Sequence, residues 1–206
     1  MNAVYESQKS ADPSVVERAL EVVEEGYSAV KVLLTPPTES LNSNAGYKHA
    51  EHFMSALRSA LGDDVDIMID CHGRHSLANA AEFCRLLSPY RPYFIEEPVP
   101  PENVDVLAEV RKASPVPIAT GERLVTRFQF REIFEKLACH VIQPDLCHCG
   151  GLWEAKKIAA MAEVSTMGVA PHNPLGPVAN AAALHFDLST PNFLIQEDML
   201  GDVPWR

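Results

Sequence analysis

The sequence lacks most of the features that would mark a membrane, nucleic-acid-binding or disulfide-stapled protein. No stretch approaches the roughly 18 apolar residues that a membrane-spanning helix needs. The N-terminal Met1-Asn2-Ala3-Val4-Tyr5-Glu6-Ser7 has neither the basic nor the apolar region of a signal peptide. Basic residues are outnumbered: 17 Lys and Arg stand against 28 Asp and Glu, a net charge of -11. A nucleic-acid partner would call for a basic stripe instead. The acidic balance still admits an anionic small molecule, because a bound divalent cation reverses the local sign. Cysteine is sparse, odd in number and irregularly placed, at Cys71, Cys84, Cys139, Cys147 and Cys149. That pattern predicts reduced thiols in a cytoplasmic protein, not a disulfide framework. Cys147-His148-Cys149 lacks the second ligand pair of a zinc site, so a structural role is expected for it.

What is present is an ordinary globular composition, with 47% hydrophobic and 22% charged residues over 206 positions, read as a single domain spanning 1–206. Short apolar runs at 29–34, 65–69, 93–95, 116–119, 141–142, 166–170 and 193–195 read as strands, with a ragged further candidate at 3–6. Between them lie amphipathic segments of helical period at 14–25, 45–61, 77–87, 104–113, 127–136, 152–164 and 177–188. Local signals support the boundaries. Asp12-Pro13 offers a capping residue before a proline at the first helical position. Gly26 and Gly62 follow the first two helices as stops, and Ser88-Pro89 and Ser114-Pro115 close the next ones. Strict alternation implies an α/β fold with parallel strands and helical crossovers, and the number of units favours a (β/α)8 TIM-type barrel. Such barrels run to about 250 residues, so this one is expected to be compact or incomplete. No eighth helix follows the last strand, and the C-terminal end is expected to be cut short.

The placement of ionisable residues is the strongest signal. Asp70, Glu96, Glu122, Asp145, His172 and Glu197 each close or directly follow one expected strand, at spacings of 26, 26, 23, 27 and 25 residues. Any one of them alone reads as a helix cap or a solvated loop residue. In a barrel, however, the C-terminal strand ends converge on one catalytic face, and burial alone does not reward a ring of charge there. Asp70, Glu96 and Glu122 make a hard oxygen-donor set suited to Mg2+. Asp145 could orient His172 and raise its basicity. His72 lies two residues beyond Asp70, on the same side of its strand end. A metal flanked by two histidines suggests removal of a proton beside a carboxylate and protonation of a departing hydroxyl, each such step contributing about 10²–10⁴-fold. Among the remaining histidines, His49 and His52 are expected at the surface, His140 and His185 in packing. Pro36-Pro37 and the polar stretch to Asn44 read as a loop after the second strand.

The sequence blocks Ile69-Asp70-Cys71-His72-Gly73-Arg74, Phe94-Ile95-Glu96-Glu97-Pro98, Ala119-Thr120-Gly121-Glu122-Arg123, Gln143-Pro144-Asp145-Leu146 and Ala170-Pro171-His172-Asn173-Pro174-Leu175-Gly176-Pro177 resemble the barrel of the enolase superfamily, mandelate racemase subgroup. The Asp-Cys-His-Gly-Arg form is most similar to galactonate and related aldonate dehydratases. The resemblance implies that Asp70, Glu96 and Glu122 bind Mg2+ and that His172, with Asp145, removes the proton alpha to the substrate carboxylate. It also implies that His72 helps the 3-hydroxyl leave and that Glu197 hydrogen-bonds the developing enediolate. The product would be a 2-keto-3-deoxy sugar acid. Racemases of the subgroup carry Lys-x-Lys on the second strand, where this chain has Lys31-Val32-Leu33. Lys31 then either holds the substrate carboxylate or fills the interior, and Arg74 or Arg123 could pair with substrate or ligand carboxylates. Family members begin with a capping domain that is expected to be missing here, together with the C-terminal segment that returns to it. Low or no turnover is therefore expected of this chain alone. A racemase or epimerase, or a non-catalytic barrel, are the other readings. A sugar acid is the expected small-molecule partner, and homo-oligomers are common in the family.

Overall fold

The computed structural model describes residues 2–4, 13–34 and 40–199. Asp12 and Pro36-Pro37 lie outside them. Strands and helices alternate as β1 (Asn2–Val4), α1 (Pro13–Glu24), β2 (Ala29–Leu33), α2 (Asn44–Leu61), β3 (Asp66–Asp70), α3 (Leu77–Leu87), β4 (Phe94–Glu96), α4 (Val104–Ala113), β5 (Ile118–Thr120), α5 (Thr126–Glu135), β6 (Val141–Ile142), α6 (Gly151–Val164), β7 (Gly168–Val169) and α7 (Pro177–Leu188). The chain divides into two compact units, 1–100 with 112–118 and 101–111 with 119–206.

In the first unit β1 to β4 pair in parallel and in chain order, with Lys31 opposite Met68, Leu33 opposite Asp70 and Asp70 opposite Glu96. The strands read as continuous apolar runs because both faces are covered: Val30, Val32, Ile67, Met68, Ile69, Phe94 and Ile95 are all buried. Helix α2 contributes Ala50, Phe53, Met54, Leu57 and Leu61 to the same core, one stripe of a 3.6-residue period. It stops at Gly62, whose φ of 72° suits glycine. The Arg58 guanidinium then binds four carbonyls, those of Gly62, Val65, Tyr90 and Arg91. One side chain thus ties the end of α2 to the two turns that lead into β3 and β4.

In the second unit β5, β6 and β7 pair in parallel through Thr120–Ile142 and Ile142–Val169. Helices α5 and α6 bury Phe130, Ile133 and Phe134, and Ala155, Ile158, Ala159 and Ala162. The expected strand at 193–195 is reduced to a single bridge, Val169 with Phe193. Pairing is confined to Val169 N–H to Asn192 O and Leu194 N–H to Val169 O, because the next donor on the β7 side would be Pro171, which has no N–H. The expected strand at 166–170 shortens because Thr166 takes a φ of 56° to close the end of α6. The strand expected at 116–119 begins later, since the Ser114 hydroxyl holds Val116 in a turn. Among the histidines, His52 is exposed, while His49 and His140 are half-buried. His185, expected in packing, is exposed, because the inward positions of that turn of α7 are Phe186 and Asp187.

Candidate active site

In the first unit the acidic residues end adjacent strands: Asp70 closes β3, Glu96 closes β4, and the two are register partners. Both are fully buried. Lys31 rises from β2 and donates to both Glu96 oxygens, at 3.0 and 2.9 Å, with its own side chain 1% exposed. Asp70 Oδ1 accepts the His72 N–H at 2.9 Å, and Oδ2 faces His72 Nε2 at 2.8 Å. Burial pushes the Asp70 carboxyl up, but the His72 bonds and the Lys31 charge outweigh it and hold the group below its ordinary value. This contact requires a sharp turn: His72 has a φ of 50° and Gly73 of 64°. The turn is fixed by Gly73 N–H to Glu97 O and His75 N–H to Pro98 O. Arg74, half-buried, lies in the same turn.

In the second unit Glu122 follows β5 through Gly121, where φ is 133° and a Cβ would stand 2.9 Å from Phe130 Cε1 and 3.1 Å from Gln143 N. Only glycine fits so close to the neighbouring strand, and this is how the chain turns Glu122 away from β5. Asp145, beyond β6, accepts the Cys147 N–H at 2.7 Å on one oxygen and His172 Nδ1 at 2.9 Å on the other. These bonds outweigh burial and hold Asp145 below the usual carboxylate range. With Nδ1 donating to Asp145, His172 presents Nε2, which stands 3.2 Å from Glu122 Oε2. Glu197 is fully buried and accepts the Asn173 N–H at 2.9 Å.

Sequence reasoning found the charged residues but missed the groups that hold them. Asn173 Nδ2 bonds to Glu197 O and Asn180 Oδ1, and Gln196 Nε2 bonds to Glu197 O and Pro171 O. Together they stitch the segment after β7 to the segment carrying Glu197. The only signal was adjacency to the catalytic candidates. The buried partner of Lys31 was missed as well. Arg123 pairs with Glu122 at 3.2 Å, and its carbonyl meets His148 Nε2 at 3.2 Å. Among the described residues, the Cys147-His148-Cys149 triplet forms no metal-binding group; Cys149 is buried, its N–H bonded to Asp145 O.

Among the described residues, each unit therefore buries more acidic than basic side chains. Asp70, Glu96 and Glu97 stand against Lys31 in the first. In the second, Asp145 and Glu197 are buried and Glu122 nearly so, with His172 as their histidine. Unbalanced buried carboxylates are unfavourable unless a cation joins them, and hard oxygen donors suit a hard divalent ion. Carboxylates fit magnesium on this ground: Asp70 and Glu96 supply them in the first unit and Glu122 in the second.

Comparison with known proteins identifies the family. The chain is 43% identical over 152 residues to the D-galactonate dehydratase of Cronobacter sakazakii, covering 74% of this chain and 40% of that protein. It is 45% identical over 148 residues to the D-galactonate dehydratase of Ralstonia pickettii, covering 72% and 39%. The chain thus spans about 40% of the length of these relatives. The crystal structure of a mandelate racemase/muconate lactonizing enzyme-like protein from Rubrobacter xylanophilus superposes with a TM-score of 0.92 at 34% identity, over 99% of this chain and 58% of that one. The fold class is the (β/α)8 barrel type expected from the alternation of strands and helices. Residues 14–206 match the profile of the enolase C-terminal domain-like family, and the chain belongs to that family.

Proposed function

We propose that this chain carries the acid–base machinery of a magnesium-assisted sugar-acid dehydratase, which removes water from an aldonic acid such as galactonate. The observation that carries the reading is the Asp145–His172 pair, in which a buried carboxylate fixes the imidazole through Nδ1 and leaves Nε2 to act. A histidine oriented this way is a general base. His172 Nε2 takes the proton from the carbon beside the substrate carboxylate. His72 gives a proton to the 3-hydroxyl, which leaves as water as the C2–C3 double bond forms. The resulting enol takes up a proton at C3 and becomes a 2-keto-3-deoxy acid, so that one water is lost overall. Glu197, held by Asn173 N–H, is assigned to hydrogen-bond the developing enediolate. Arg74 is assigned to the substrate anion. Asp70, Glu96 and Glu122 would hold Mg2+, which when bound stabilises negative charge developing on the substrate carboxylate.

The naming of two relatives as D-galactonate dehydratases supports this over epimerisation. So does Leu33, two residues after Lys31, where a racemase of the subgroup would carry a second basic lysine. The test is 2-keto acid formation from a panel of aldonic acids with Mg2+, with the wild type run beside His172→Asn. Product from the wild type alone is expected. Equal product from both proteins would remove His172 from the mechanism.

A further inference from the structure

Among the described residues Lys31 is the only buried lysine or arginine. Its position follows from register. Side chains alternate across a parallel sheet and neighbours in register share a face, so Lys31, Met68 and Phe94 form one layer. Leu33, Asp70 and Glu96 form the next layer towards the strand ends. Successive layers on one face are about 6.6 Å apart. The Lys31 stem climbs that distance beside apolar neighbours and places its ammonium on both oxygens of Glu96. Its charge also reaches Asp70. A lysine suits this position better than an arginine, being a compact charge on an unbranched stem.

We infer that Lys31 is a resident counter-cation of the acidic site, which competes with the divalent ion for Glu96 and so sets how tightly that ion is held. The inference rests on the metal reading above and goes beyond it. A buried Glu96 without a cation would be strongly unfavourable, so Lys31 lets the metal-free protein fold with Glu96 ionised. The same positive charge, within bonding distance of the donor oxygens, repels an incoming dication in a low-dielectric setting. Lys31 thus exchanges metal affinity for metal-independent stability. This differs from an anchoring role for the substrate carboxylate, which would leave metal binding in the absence of substrate unchanged.

The experiment compares the wild type with Lys31→Met, which keeps an unbranched stem and removes the charge. Mg2+ alone is titrated by calorimetry, without substrate, and melting is followed in chelator and in Mg2+. Lys31→Met is expected to bind Mg2+ at least about tenfold more tightly, to melt lower than wild type in chelator, and to recover on adding Mg2+. Folding of the variant only in Mg2+ would be the extreme form of the same result. Equal or weaker Mg2+ binding by the variant, with the wild type still binding, would overturn the inference and leave the metal reading intact. No response to Mg2+ from either protein would overturn both. Should Lys31→Met fail to fold in either condition, Lys31→Gln carries the same expectation: its neutral amide still donates to Glu96.

Discussion

The two units share one way of holding a carboxylate and differ in a second: Asp70 and Asp145 each meet an imidazole and a backbone N–H, and among the described residues only the first unit adds a buried ammonium. In the first, Glu96 is held by an ammonium that reaches it from the neighbouring layer of side chains. In the second, Asp145 is held by an imidazole and a backbone N–H, and Glu197 by the Asn173 N–H. A lysine–carboxylate pair in the interior is a static balance of charge. An imidazole with one nitrogen tied to a carboxylate presents the other for proton transfer. The Lys31–Glu96 pair suits holding charge, whereas the two imidazole–carboxylate pairs, His72 with Asp70 and His172 with Asp145, suit acid–base work.

Breaking the second arrangement should have the largest effect. His172→Asn is expected to lower 2-keto acid formation by about 10²–10⁴-fold, the usual contribution of a positioned base, while Mg2+ affinity measured without substrate changes little. Asp145→Asn keeps the imidazole but replaces its charged acceptor, and a fall of up to about 10⁴-fold is expected, as for a buried Asp that orients a catalytic histidine. Steady-state rates check both. Gly121→Ala tests the support of Glu122 through packing. With a φ of 133° and Phe130 at 2.9 Å from the added carbon, it should destabilise the fold by about 1–3 kcal/mol, read from denaturant midpoints.

Asp187 sharpens the comparison from the other side. It is buried at the end of α7, both oxygens lack a hydrogen-bond partner among the described residues, and burial pushes its carboxyl up to about 7. The folded state therefore holds this proton more tightly than the unfolded chain does, so the group's contribution to stability falls as pH rises from about 4 to about 7. Asp187→Asn should remove that dependence. The variant should melt above wild type at pH 8, with the gap closing at pH 4.5. A gap unchanged by pH would show that Asp187 has a partner in solution.

Much of this organisation was legible in the sequence. The bounds of α3, α4, α7 and β6 were read correctly from periodicity and turn residues. Asp70, Glu96, Glu122, Asp145 and His172 stand at or just beyond strand ends, while Glu197 follows a single bridge at Phe193 in place of the expected strand. Short strands were harder: two or three residues of pairing leave no alternation to detect, Thr166 and Ser114 trimmed their ends through local turns, and Pro171 offers no N–H to prolong the last pairing. Long-range partners were illegible. Lys31 and Glu96 lie 65 residues apart, and only register shows that one stem length joins them. Asn173 and Gln196 act by bonding backbone groups, which leaves no pattern of residue types. The outward position of His185 depends on the helical phase of α7, which a nearly all-apolar sequence does not define.

The most direct test of the account is to incubate an aldonic acid with the protein and Mg2+ in D2O and follow the carbon beside the carboxylate by NMR. The account predicts loss of that C–H signal together with appearance of a 2-keto-3-deoxy acid, both absent with His172→Asn. Exchange of the C–H for deuterium with the 3-hydroxyl retained would contradict dehydration and make epimerisation the chemistry of this site.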